Sequence, residues 1–194
     1  MALDIERFKS ALIGGGDRAS KFEVRLTIPG VGSGDAAANE KFTLTCEATS
    51  IPPQVLGTAS AFYFGRELPL PGDRVFPPWN VTILSDEDQL VRRAMERWSH
   101  MINANRRNTT VGPFGSNPSS YKSDAMVYKY GKDGSVLRTY RFIGLWPATV
   151  SQIDLSWQAR DEIVRFGVEL RYDYWINDTD ILASEGSGLS VGAG

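Results

Sequence analysis

The chain has 194 residues, a formal net charge of −2, 42% hydrophobic and 23% charged side chains, and one cysteine. That length suits one domain with a core of its own and some chain left for arms and loops. The near-neutral charge argues against a surface built to grip DNA or a membrane, and a lone cysteine excludes an internal disulfide or a cysteine-cluster metal site.

The N-terminal MALDIERFKSAL has no apolar segment of the kind a secretion signal needs. No apolar run approaches the ~20 residues of a membrane span. Synthesis in a reducing cytoplasm is expected, with Cys46 a buried thiol. Residues 1–20 read as an N-terminal arm: Ile5, Phe8 and Leu12 share a helical face, and Gly14-Gly15-Gly16 ends it. Residues 21–177 read as the folded domain, and 178–194, SEGSGLSVGAG at their end, as a flexible tail.

Residues 21–28 alternate, with Phe22, Val24, Leu26 and Ile28 opposite Lys21, Glu23, Arg25 and Thr27. That is a half-buried strand. Pro29-Gly30 breaks it and GVGSGDAAAN reads as a loose connection. Residues 41–49 alternate again, setting Phe42, Leu44, Cys46 and Ala48 against Lys41, Thr43, Thr45 and Glu47, so a second strand is expected to pair with the first. Six of the ten prolines fall between Pro52 and Pro78. Proline has no ladder N–H, so 50–78 is expected as an extended arm outside any sheet interior, with 61–64 pairing at an edge. A long excursion of this kind fits packing on a partner. Residues 79–84 form a strand leading into the helix.

The 85–103 stretch, SDEDQLVRRAMERWSHMIN, is the one long helix expected. Leu90, Val91, Ala94, Met95, Trp98, Met101 and Ile102 make an apolar stripe, and Arg92, Arg93, Glu96 and Arg97 a charged face. Ser85 is placed as its N-cap, with Asp86, Glu87 and Asp88 at the positive end of the dipole. After a surface loop come a hairpin turning at Lys132-Asp133-Gly134, a bend at Leu145-Trp146-Pro147, and an apolar pattern at Val150, Ile153 and Leu155. A last long strand sets Val164, Phe166, Val168, Leu170, Tyr172, Tyr174 and Ile176 against Arg165, Glu169, Arg171 and Asp173. About seven strands, mostly antiparallel, with one amphipathic helix give a mainly β class: a sandwich or barrel with the helix packed on it.

Catalytic signatures are missing. His100 is the one histidine and lies on the helix's polar side, so neither HExxH nor a multi-histidine zinc site is present. The GxSxG pattern at Gly188-Leu189-Ser190-Val191-Gly192 falls in the glycine-rich tail and follows no strand pattern, so it is no elbow, and Gly14-Gly15-Gly16-Asp17-Arg18 lacks the ending of a phosphate-binding loop. The helix start accounts for Asp86-Glu87-Asp88 better than a cation site does. No enzyme, cofactor or metal is expected, and a binding or structural protein is.

The ordered set of pieces from 42 to 174 resembles the tail tube proteins of contractile-tailed bacteriophages. The set comprises Phe42–Ala48 with Ile51-Pro52, Tyr63-Phe64-Gly65-Arg66, the 79–84 strand running into Arg92-Arg93 and Glu96-Arg97-Trp98, Asp133-Gly134, Trp146-Pro147, Ile153–Trp157 and 161–174. The resemblance implies hexameric rings that stack into a hollow tube inside a contractile sheath. It implies sheath, baseplate or tail-tip and tape-measure proteins as partners, and DNA passing through the lumen without specific binding. It implies a place in the virion and no membrane. Tubes of pyocin-like, extracellular and type VI systems are related alternatives. A small β-barrel module binding a ligand or carbohydrate is a further alternative, motivated by the five tryptophans. For a tube, Arg165, Glu169, Arg171 and Asp173, or Lys41, Thr43, Thr45 and Glu47, are the candidate lumen-lining sets. Arg92, Arg93, Glu96, Arg97, Pro52, Pro53, Phe62 and Phe64 are candidate subunit or sheath contacts.

Overall fold

The computed structural model describes residues 5–29, 35–111 and 117–177. The expected tail at 178–194 and the first four residues of the expected arm lie outside them. The rest of the arm begins with a short helix, α1 (Ile5–Ala11), with no buried side chain, followed by a 3-10 turn at Ile13–Gly15.

Nine strands lie in the described residues: β1 (Phe22–Leu26), β2 (Cys46–Thr49), β3 (Val55–Tyr63), β4 (Arg66–Val75), β5 (Trp79–Leu84), β6 (Ser123–Tyr130), β7 (Val136–Val150), β8 (Arg165–Arg171) and β9 (Tyr174–Asn177). All pair antiparallel. The main sheet runs β1-β6-β7-β8-β5-β2, with β9 also on β7, and β3-β4 form a separate two-stranded ribbon. The expected antiparallel, mainly β class is what forms.

Strand β7 joins the two halves of the main sheet. Its first part pairs with β6 and β9, and from Trp146 to Val150 it pairs with β8. The change falls at Gly144, whose φ is +72° and where a Cβ would lie 2.2 Å from Asp173 Oδ2. Only glycine fits that backbone and that approach. The sheet folds over here, and the halves meet in a shared core. There Trp79 of β5 and Phe142 of β7, both fully buried, stack with ring centroids 4.3 Å apart.

Helix α2 (Asp35–Thr45) packs against β1, and α3 (Leu90–Ile102) packs against α2 and β7. The α3 stripe is core as its spacing predicts: Val91, Ala94, Met95, Trp98 and Met101 are buried. The Trp98 indole N–H donates to the Tyr121 carbonyl at 2.7 Å, tying α3 to the short helix α4 (Pro118–Tyr121).

Six expectations are corrected. Residues 41–45 are the end of α2, not a strand, and only Cys46–Thr49 is extended. The 35–39 segment, expected as loose connection, supplies three alanines that favour a helix, and Ala38 and Phe42, four apart, bury one face. Leu44 is left 79% exposed. The first two strands do not pair: β1 lies on β6, and β2 lies on β5.

Ser85 caps nothing. Its N–H extends the β5–β8 ladder to the Val164 carbonyl, and α3 starts after Gln89, with Asp88 Oδ1 accepting from the Leu90 N–H at 2.8 Å. The last long strand is two: β8 ends at Arg171, and Tyr174, expected inside, is exposed while Trp175 is buried. The apolar pattern at 150–157 makes no strand past Val150, and Leu155 is 85% exposed.

Candidate assembly surfaces

The proline-rich excursion is a hairpin. β3 and β4 pair from Val55↔Val75 to Tyr63↔Arg66. Phe64 and Gly65 both take positive φ, at +48° and +78°, which is the primed two-residue turn a twisted hairpin needs. Pro69 and Pro71 sit two residues apart in β4, so their missing N–H groups fall on one edge of that strand. Neither face of the ribbon is covered. Phe62 is 73% and Phe64 92% exposed, and Tyr63, Leu56, Leu68 and Val75 are exposed as well. Clustered exposed apolar side chains of this kind mark a binding surface. Of the two prolines before the hairpin, Pro53 is exposed and Pro52 is buried in its own chain.

A polar face covers the outside of the β5–β8 half. Arg165, Glu169 and Arg171 point outward from β8, between the buried Phe166, Val168 and Leu170. Asn80 and Thr82 of β5 lie beside them. β2 carries a bulge between Cys46 and Ala48, and Glu47, within it, forms a two-pronged ion pair with Arg165 at 2.6 and 3.1 Å. The Arg165 guanidinium holds the Glu47 carboxyl below the usual carboxylate range. Arg171 pairs with Glu169 at 3.3 Å. Two acids and two bases thus neutralise one another across the face.

The structure brings together members of both expected lumen sets and separates others. Glu47 joins the β8 residues. Lys41, Thr43 and Thr45 are on α2: Lys41 pairs with Asp86 and Asp88, while the Thr43 and Thr45 hydroxyls donate to the Asn39 and Lys41 carbonyls of their own helix. Asp173 follows β8 and is held by Lys122 at 2.6 Å. On α3, Arg93, Glu96 and Arg97 are exposed. Arg92 is used internally, donating to Glu96 at 2.8 Å and to the Ser151 carbonyl at 3.2 Å, with its guanidinium 5.3 Å from the Phe166 ring centroid.

Residues 17–178 match the phage tail tube protein family. The chain belongs to that family. It is 33% identical over 137 residues to tail tube protein gp19 of Enterobacteria phage T4, covering 70% of this chain and 82% of that one. It is 27% identical over 176 residues to the tail tube protein of Serratia phage KSP90, covering 90% and 97%. Among solved structures, the tube-terminating cap of the anti-feeding prophage matches with a TM-score of 0.57 at 18% identity, over 84% of this chain and 90% of that one. A sheath-tube complex of an extracellular contractile injection system matches at 0.53 and 14%, over 87% and 95%. These two likenesses show a shared fold.

Tail tube proteins of this family are structural and not enzymes. In this tail tube protein, Asp86 and Asp88 are filled by the Lys41 ammonium, and no group of acids, histidines and cysteines fit for a metal occurs among the described residues. Cys46 is free and half-buried, its thiol pushed up to about 12 by burial, so it is not a nucleophile at neutral pH. Among the described residues, no helix is long and apolar enough to cross a membrane. Sequence reading missed the bulge that turns Glu47 toward Arg165; the two lie 118 positions apart and no local pattern joins them. It also missed the second exposed apolar surface, formed by Leu155, Ile163 and Val164 near the start of α3.

Proposed function

We infer that this tail tube protein forms hexameric rings, that the rings stack into a hollow tube inside a contractile sheath, and that phage DNA passes through the tube. The observation that carries the reading is the β3–β4 hairpin, whose apolar side chains lie open on both faces in a chain of the tail tube family. A ribbon of two strands is marginal by itself in water, and burial against neighbouring subunits gives it a reason to exist. The folded body is residues 21–177, with 50–78 as its assembly arm and the terminal segments as further ring-to-ring contacts.

The polar outer face with Glu47, Arg165, Glu169 and Arg171 is the surface for the lumen. Its charges are paired, so it offers a wetted wall without the unopposed cations that would hold phosphates. Exposed Arg93 and Arg97 on α3 are contacts for a neighbouring subunit or the sheath, and baseplate and tape-measure proteins are the expected further partners. The sequence relatives named above are phage proteins, which favours a virion tail over an injection system.

Electron microscopy of the purified protein at high concentration, and of particles carrying it, is the test. Six-fold rings and tubes are expected. A strictly monomeric protein with no tube in any particle overturns the reading. A tube map with the Glu47–Arg165 face outward overturns the lumen assignment alone. Charge reversal at Arg93 and Arg97 is expected to impair assembly while leaving the monomer's melting temperature unchanged.

A further inference from the structure

The two exposed apolar features lie at opposite ends of the same strands. The hairpin leaves the main sheet between Thr49 of β2 and Trp79 of β5, and Trp79 pairs with Leu170 of β8. At the other end, Leu84 pairs with Arg165. Beyond that end, the 85–89 turn and the 151–164 loop enclose an open cleft of about 800 Å³. Ile153, Leu155, Ile163 and Val164 line it with apolar surface. Leu155 and Ile163 are exposed in the single chain, an unusual condition for two large aliphatic side chains at one place. Glu87 and Glu162 supply an acidic rim, while Asp86 beside them shares the Lys41 ammonium with Asp88.

The hairpin tip has the complementary character. Tyr63 and Phe64 form an edge-to-face pair with centroids 4.5 Å apart, and Arg66, after Gly65, is the cross-strand partner of Tyr63. The tip is thus two aromatic rings and a cation, and the cleft an aliphatic floor with the Glu87 and Glu162 carboxylates and one cation, Arg92, whose charge Glu96 already holds. Strands of nine and ten residues let it reach roughly 30 Å from the sheet end.

We propose that the 85–89/151–164 cleft of one subunit receives the Tyr63–Arg66 hairpin tip of a second copy. This rests on the tube reading and names the receiving site. The contact is head-to-tail: each copy offers a tip at one end of the β5–β8 ladder and a cleft at the other. Such a contact satisfies neither surface within a closed pair and continues from copy to copy, which is what an open stack requires.

The test is disulfide trapping in assembled tubes of the full chain. In a Cys46→Ser background, the double variant Phe64→Cys/Leu155→Cys, both exposed positions, is oxidised and run on a denaturing gel. A ladder of multimers from the double variant, with monomer from each single variant, is expected. Tubes that give no ladder overturn the cleft assignment and leave the tube reading standing. Covalent dimers from Phe64→Cys alone also overturn it, because they mean that tips meet tips. If Phe64→Cys itself blocks assembly, a charge swap decides. Arg66→Glu is expected to lower tube yield at least tenfold, and adding Glu162→Lys to restore it. Arg66→Glu tubes at wild-type yield, or no recovery in the swap, overturn the proposal. No rings or tubes from any of these proteins, wild type included, overturns the tube reading together with this one.

Discussion

The main sheet and the β3–β4 hairpin are made of similar residues and meet opposite fates. In the sheet, alternate residues of β5 and β8 are buried almost completely, from Trp79, Val81 and Ile83 to Phe166, Val168 and Leu170. Ion pairs tie distant parts of the chain across it, Glu47 to Arg165 and Lys122 to Asp173. In the hairpin, side chains as large as Phe62 and Phe64 meet no core, and the Ser60–Glu67 hydrogen bond joins the two strands of the ribbon only to each other. One region is complete in a single chain. The other has a defined turn and register and no surface of its own to lie on, so its energetic role belongs to the assembly.

The largest expected effect tests the complete region. Trp79→Ala removes one ring of the buried Trp79–Phe142 stack and the indole hydrogen bond to Thr49 at 2.8 Å. It is expected to cost about 3–5 kcal/mol, measured by chemical denaturation of the monomer. A loss below about 1 kcal/mol would mean that the two sheet halves do not depend on that contact. Trp98→Phe is the next step down: it keeps most of the apolar stripe on α3 but strands the Tyr121 carbonyl, for an expected loss of about 1–3 kcal/mol by the same measurement.

The incomplete region is tested by removing it. Replacing residues 59–70 with an Asn-Gly turn shortens the ribbon at the Thr58↔Pro71 pair. Monomer stability is expected to change by less than about 1 kcal/mol, in line with substitutions away from any packed core. Sedimentation and electron microscopy should find no tubes. A cooperative loss of monomer stability comparable to Trp79→Ala would erase the distinction between the two regions.

The same contrast explains what the sequence made legible. Where a period repeats for six residues beside a buried partner, as in β5, or for four turns with one apolar stripe, as in α3, the pattern names both the element and its inner face. The Lys132-Asp133-Gly134 turn and the bend near Trp146 are equally local: Gly134 has φ +82°, and Gly144 has φ +72°. Residues 41–49 were misleading because Phe42, Leu44, Cys46 and Ala48 fit a period of two over a window too short to reject a period of 3.6. The packing of α2 against β1 and β5, with Ala38 and Phe42 buried, decided it. The β8–β9 break depends on Lys122 and on the close approach of Asp173 to Gly144, neither visible in a single strand's alternation. Of the candidate surfaces, the 50–78 arm followed from its prolines, whereas its folding into a hairpin with an exposed aromatic tip, the pairing of Glu47 with Arg165 and the cleft beyond Leu84 are products of topology.

The smallest expected effect concerns the ties that the body has and the hairpin lacks. Lys41 on α2 grips Asp88 in the turn before α3, and Asp88 also accepts from the Leu90 N–H. The ammonium first, then the backbone N–H, hold the Asp88 carboxyl down at about 2, against an ordinary value of 3.8. A carboxylate with a depressed folded value favours the fold in its charged form. Its contribution is therefore fully present above about pH 4 and is lost as the pH falls through about 2. Asp88→Asn keeps an acceptor for Leu90 and removes the charge. The wild type is expected to melt slightly above this variant at pH 7, with the gap closing between about pH 4 and pH 2. A gap that stays constant over that range would show that the Lys41 tie is geometric and not electrostatic. In that case packing and hydrogen bonds, without charge, would separate the body of the subunit from its hairpin.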